Sequence, residues 1–550
     1  MSLPEFSTQS SLFSTAALSG SLFAEMDRYR LFAQVIYPKL VAVRPELATC
    51  YCLDNGRVAL EPLFMLGTSL LQFIDGVTDR GAVEMLRYHA GWNFALNRQL
   101  GDEVFHPSSL ANFRQRLIEH DLGALGFEAI LEGLVEAGLV ARRSRQRLDS
   151  TQIFAHVSRM SRLECVRETL RLALEELETT ANPWPRPPFW KAMWERYVEN
   201  KLDYRAEASV LQQKMEQAGT EAAQLLEWVR GLENKEPSQG EQVKLLERVW
   251  NENFELKEGQ LQQREAQPAG AVHNPHDPEA QWAAKGQGKH KKEHVGYKVQ
   301  VAETVTEGPL EKGEPTPNFI TAMATQPAIG SDDAGLPLVE QEQAAMGLEK
   351  PSAWHVDGAY VSAERLAQAQ SEGRELIGPA QASPKKEGRF SVEDFQLNVE
   401  ERKGICPTGK ENTQCSRLEE EGSGKVSYRF EWSTHCHDCP LRQQCLGKDQ
   451  QHRTVVVGQH HTALQARRQE QRTQEFKDKA KARNAIEGTQ SELVRAHGLR
   501  RARYRGLRKV RLQNYMIGAA CNIKRWICRL IWLMKQTVGQ SAASTVAAAN

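Results

Sequence analysis

RLDSTQIF, residues 147–154, sets a carboxylate, Asp149, inside a short run of β-forming residues. A carboxylate part-way along a strand is unusual. A second acid, Asp357 in WHVDGAYVS (354–362), directly follows an apolar strand-like run from Ser352. It stands at a strand's carboxyl end, where open α/β sheets place ligand and catalytic groups. A third, Glu487 in ARNAIEGTQSEL (482–493), lies in a helical pattern. Taken singly, Asp149 and Asp357 read equally well as turn or cap residues.

Outward from these acids the chain divides. Residues 21–140 show helical apolar spacing, and residues 160–265 a charged helical stretch punctuated by prolines at 183, 185, 187 and 188. Strands are expected over 295–306, 319–328 and 352–357, with a helix over 362–373. Residues 378–458 read as a small β-rich, cysteine-bearing insertion, and 459–536 as helical and basic. Residues 1–20 and 537–550 read as a disordered leader and tail. The expectation is an α/β, multidomain protein: a core over 141–377 and 459–536 carrying both insertions, preceded by a helical domain.

Lysine plus arginine and aspartate plus glutamate both number 70, so net charge is uninformative. The distribution is not. Arg500, Arg501, Arg503, Arg505, Arg508, Lys509 and Arg511 form a run without one acid, a ready contact for a polyanion. Ser108 or Ser109 could cap a helix carrying Arg114 and Arg116, like the second helix of a helix-turn-helix, with a surface helix as the alternative. The most apolar stretch, 512–534, is broken by Lys524, Arg525 and Arg529, which argues against a membrane span. Ten cysteines and no signal-like N-terminus favour a reducing cytoplasm. Cys406, Cys436, Cys439 and Cys445, two of them followed by proline, could hold one structural Zn²⁺. His435, His437 or Cys415 could substitute as ligands, and free or redox-active thiols are the alternative.

Five ordered motifs carry a resemblance that spans nearly the whole chain: LDSTQIFAHVSRMSRLE (148–164), NPHDPEAQW (274–282) with GYKVQVAET (296–304), VDGAYVS (356–362), CPLRQQC (439–445), and IEGTQSELVRAHGLRRARYRGLRKVRLQN (486–514). The chain resembles the DDE transposases of bacterial insertion sequences, in particular long members with a helical N-terminal domain and a late Arg-rich signature.

The resemblance implies an RNase H-like catalytic domain in which Asp149, Asp357 and Glu487 bind two Mg²⁺ or Mn²⁺ ions. Two such ions, about 4 Å apart, activate a nucleophile and stabilise the leaving oxygen at phosphorus. Arg483, four residues before Glu487, is expected on the same helical face, reaching a phosphate or steadying the carboxylate. The tyrosine and lysine that accompany this pair in some relatives are replaced by Ala480 and Val494, so those roles do not carry over. The implied partners are double-stranded DNA, as terminal inverted repeats and target, and a second copy in a homodimeric synaptic complex at the bacterial nucleoid. A catalytically silent DNA-binding repressor of transposase descent is the alternative.

Overall fold

A computed structural model describes residues 1–549, apart from 6–13, 53, 100, 181–184, 202–205, 287–290, 307, 309 and 423, with side chains to residue 537 except that of residue 285. Its centre is a mixed sheet built on five core strands: β1 (Arg145–Phe154), β2 (Lys292–Thr304), β3 (Ile320–Pro327), β4 (Ala353–His355) and β5 (Glu375–Ile377). Their order is β3-β2-β1-β4-β5; β1, β2 and β3 pair antiparallel, and β4 and β5 join parallel to β1. This is the RNase H-like arrangement. A sixth short strand, Gln281–Lys285, extends the outer edge of β2.

The two faces of β2 explain the layering. Tyr297, Val299 and Val301 enter one apolar core and Ala302 another, as strand alternation requires. Gly296 marks where β1 crosses closest, since a Cβ there would stand 1.9 Å from the Ile153 carbonyl oxygen.

The first core is shared. Helices of the N-terminal region, including Pro62–Asp75 and Leu125–Glu136, and the last helix, Leu507–Ala549, pack in one continuous apolar cluster with Ile153, Val299 and Val301. Asn522 on that last helix accepts from the Ile320 amide at 2.8 Å and donates to its carbonyl at 2.9 Å, satisfying backbone on edge strand β3. The helical N-terminal region therefore shares the sheet's core.

Between β1 and β2 the helices Arg162–Thr179, Ala208–Gly231 and Glu241–Asn253 enclose a separate core. The stretch read as helical up to 265 instead closes with a hairpin, Phe254–Lys257 with Gln260–Gln263, whose turn uses Glu258 and Gly259 at positive φ. The segment after β5 holds a two-stranded ladder, Gln396–Asn398 with Lys403–Ile405, and a three-stranded sheet, Gln414–Glu419, Val426–Glu431 and Thr454–Gly458.

Residues 1–20 and 537–550, expected to be disordered, carry some regular structure among the described residues. The last helix runs through the alanine-rich tail to Ala549, in keeping with alanine's helix propensity. In the leader, Ser14 caps the helix Thr15–Ser19 and Ser2 bridges to Cys52 and Val58, while 6–13 lie outside the described residues. No helix among the described residues is long and apolar enough to cross a membrane.

Candidate active site

Asp149 sits mid-way along β1, on the face that Arg147 and Ile153 share. Its Oδ1 accepts from the Ser150 amide at 2.8 Å. Asp357 lies two residues past β4, where its Oδ1 accepts from the Ala359 amide at 2.7 Å and caps the short turn Gly358–Tyr360. Each carboxylate is thus fixed through one oxygen. The other oxygens converge, because one nitrogen of Arg483 lies 3.0 Å from Asp149 Oδ2 and 3.7 Å from Asp357 Oδ2. Tyr360, buried beside them, donates to Gln300 at 2.5 Å. Its burial, and then Asp332, Asp149 and Asp357, push its hydroxyl well above the ordinary phenol range.

Glu487 occupies the first turn of the helix Ile486–His497, a favourable place for an acid, and is exposed without an ion pair among the described residues. One turn on, Gln490 donates to the Ser150 carbonyl at 3.2 Å and ties this helix to β1. The expected Arg483 and Glu487 pair on one helix needs correction. Residues Lys481–Ala485 form a 3-10 turn, and Arg483 reaches the sheet's two aspartates instead.

Beneath the acids lies a charge network that sequence reasoning missed. Glu303 on β2, fully buried and directly opposite Arg147, bonds Arg147 at 2.5 Å, Arg525 at 3.0 Å and Thr489 at 2.7 Å. Arg147 also donates to the Ala482 carbonyl at 3.1 Å, and so holds the turn that presents Arg483. The same neighbourhood holds the one close metal-ligand-type cluster among the described residues, Glu492, His497 and Cys521. Arg525 donates to Glu492 at 2.7 Å and 3.0 Å, so that carboxylate is already neutralised.

The basic run is partly structural. The end of β1 pairs with it, Phe154 with Arg501, through bonds to the Arg500 carbonyl and the Ala502 amide. Arg500 donates to Thr151 and to the Gln152 carbonyl, Arg503 stacks 4.6 Å over Phe73, and Arg508 donates to Asp121 at 2.8 Å. Arg501, Arg505, Lys509 and Arg511 are left as exposed cations. Asp277 and Glu279 of NPHDPEAQW accept from the amides of Gly506 and Leu507, capping the last helix; Gly506 stands at φ +90°, where glycine is favoured.

The helix expected to resemble the second helix of a helix-turn-helix is present, but its cap and the state of Arg114 are corrected. The helix Ser108–Glu119 is not capped by Ser108 or Ser109; His106 Nδ1 accepts from the Ser108 amide at 3.3 Å. Arg114 is buried and bonds Asp79 through two nitrogens, at 2.6 Å and 3.1 Å, beside the Tyr504 ring. Arg116 stacks 4.4 Å over Tyr51. Neither guanidinium heads a row of cations facing solvent, because the apolar side of this helix faces the core and carries Arg114 with it.

A cavity of about 690 Å³, lined by Ser150, Gln152, Arg159, Trp282, Lys298 and Asp332, opens on the other side of β1. Of the two aspartates, Asp149 is mostly buried at 15% exposure and Asp357 half-exposed at 37%.

The model of a family described as "Transposase DDE domain" matches residues 405–527, and that of a "Transposase domain (DUF772)" matches residues 20–116. These two matches support a DDE transposase of the insertion-sequence type. The first match takes in Glu487 and the basic run, while Asp149 and Asp357 lie outside both. No curated protein and no solved structure matches the transposase chain. Transposases of this family act on DNA and work with divalent metal ions.

Proposed function

We propose that this transposase binds the terminal inverted repeats of its own element, cleaves a phosphodiester at each end, and joins the freed 3′-hydroxyls to target DNA. Asp149, Asp357 and Glu487 are the ligands of two Mg²⁺ or Mn²⁺ ions in this reading. The observation that carries it is the convergence of two carboxylate oxygens, from neighbouring strands, on one cationic nitrogen beside the start of the Glu487 helix.

In this structure Arg483 is the cation between the two carboxylates, a place that a divalent ion would take in the loaded site. When bound, such ions polarise the phosphate and activate the attacking oxygen. The chain's own groups orient the reaction. The Ser150 and Ala359 amides fix the two aspartates through Oδ1, leaving Oδ2 toward Arg483, and Glu487 is exposed in the first turn of its helix. Arg483, released from the aspartates, is placed to hold a phosphate oxygen.

In cleavage, water attacks phosphorus and the P–O3′ bond breaks, leaving a 3′-hydroxyl and a 5′-phosphate. In joining, that hydroxyl attacks a target phosphorus and displaces the target's own 3′-oxygen. Arg501, Arg505, Lys509 and Arg511 steady the backbone, which makes binding strongly salt-dependent. Two ends require two such sites, which a homodimer supplies.

The test is a supercoiled plasmid carrying both ends of the element, incubated with pure protein and Mg²⁺ or Mn²⁺. Nicks at the end junctions that disappear with EDTA are expected. End binding without cleavage in either metal would contradict the reading and favour a repressor of transposase descent.

A further inference from the structure

In the insertion after β5, the neighbouring Cys436, Cys439 and Cys445 and the more distant Cys406 come to one place. Cys406, Cys436, Cys439 and Cys445 line a single small cavity of about 20 Å³, closed on its other sides by Phe390, Trp432 and Leu446. None forms a disulfide. Of the three alternative ligands, His435 lines the same cavity and the other two stand apart. Cys415 pairs opposite Phe430 within the three-stranded sheet and does not line the cavity, and His437 is exposed beside Asp438.

The backbone around the four sulfurs has the character of a thiolate site. Cys406 opens a tight turn, in which the Gly409 amide donates to the Cys406 carbonyl at 2.8 Å and Gly409 takes φ +79°. The Thr408 hydroxyl lies 3.0 Å from the Cys406 sulfur, and the Arg453 amide donates to the Cys436 sulfur at 3.4 Å. Hydrogen bonds to sulfur of this kind favour thiolates and orient them as ligands.

Two arginines supply compensating charge. Arg442 donates to the Cys436 carbonyl at 2.8 Å, and Arg453 to the Cys445 carbonyl at 3.1 Å. The buried Nε of Arg453 has no hydrogen-bond partner among the described residues.

The insertion also needs a cross-link. Its core holds nine buried apolar side chains, one of them Cys436, to support two small sheets. Small β-rich units with so little apolar burial are commonly stapled by a metal or disulfides.

We infer that Cys406, Cys436, Cys439 and Cys445 bind one structural Zn²⁺, tying the 406–410 turn, the 436–440 loop and the short helix Arg442–Cys445 into one unit. Binding forms four Zn–S bonds and releases the thiol protons to solvent. No three of the four sulfurs lie within 4.8 Å of one another, so binding one ion requires the loops to close on it. The site is independent of the carboxylate reading.

The test uses the full chain, purified under reducing conditions without added zinc. Elemental analysis is expected to find about one zinc per chain, falling below about a tenth in a Cys439→Ser, Cys445→Ser double variant. Cobalt exchanged into the wild-type protein should give the intense sulfur-to-metal charge-transfer bands of tetrahedral thiolate coordination, a readout that does not depend on the variant folding. Asp149→Asn with Asp357→Asn should retain the zinc, which separates this site from the carboxylates. A metal-free native protein with all four thiols freely titratable, or cobalt bound without thiolate bands, would overturn the inference.

Discussion

Asp357→Asn is expected to reduce metal-dependent end cleavage by at least about a thousandfold, the loss of roughly 4 kcal/mol of transition-state stabilisation. The substitution is nearly isosteric, and its amide oxygen can still accept from the Ala359 backbone, so the Gly358–Tyr360 turn should survive. What disappears is the negative charge on the oxygen facing Arg483. End binding, measured by mobility shift at fixed salt, should hold or tighten, because one anion near the DNA backbone is gone. Asp149→Asn should behave alike, since its Oδ1 contact with the Ser150 amide can also be kept. Cleavage within about tenfold of wild type would remove Asp357 from the metal site.

The largest stability effect is expected at Glu303. Its carboxylate is 0% exposed and holds two guanidiniums, Arg147 and Arg525, each 5% exposed. Glu303→Gln keeps the volume but leaves Arg147 without its anion and Arg525 with Glu492 alone, and breaking a buried pair in this way costs about 3–5 kcal/mol. The effect should reach the active site, because Arg147 also fixes the turn carrying Arg483. A surface control, Glu293→Gln beside the exposed Lys291, should shift stability by less than about 0.5 kcal/mol. The comparison is read as the shift in chemical unfolding midpoint by circular dichroism. Equal shifts for the two variants would mean that the buried network contributes nothing particular to the fold.

Much of the sheet was legible because its strands are long or strongly patterned. The expected strands over 295–306, 319–328 and 352–357 correspond to β2, β3 and β4. The strand β5 and the strip Gln281–Lys285 escaped, being three and five residues long and, unlike the equally short β4, not followed by an acid that marks them. Asp149 and Asp357 stood out as acids against apolar runs. Glu303 did not, since an acid in VAET gains meaning only once β2 is set opposite β1, in a register joining residues 156 apart. Arg114 misled for the converse reason: its partner, Asp79, lies on another helix, so nothing nearby in sequence showed that its charge was already satisfied.

The basic run was half legible. Its charge density pointed to DNA, but which cations are free depends on the turn folding back onto β1. Arg500 and Arg503 are drawn into that packing, and Arg501 and Arg505 are left outside.

The claim that Asp149, Asp357 and Glu487 form one divalent-metal site rests most heavily on Glu487, which is exposed and touches neither aspartate. Mn²⁺ binding followed by electron paramagnetic resonance, on wild-type protein and on Glu487→Gln bound to uncleaved end DNA, tests it directly. The account predicts that Glu487→Gln weakens Mn²⁺ affinity at least about tenfold, with the circular dichroism spectrum unchanged. Unaltered Mn²⁺ affinity together with wild-type cleavage in Glu487→Gln would contradict it.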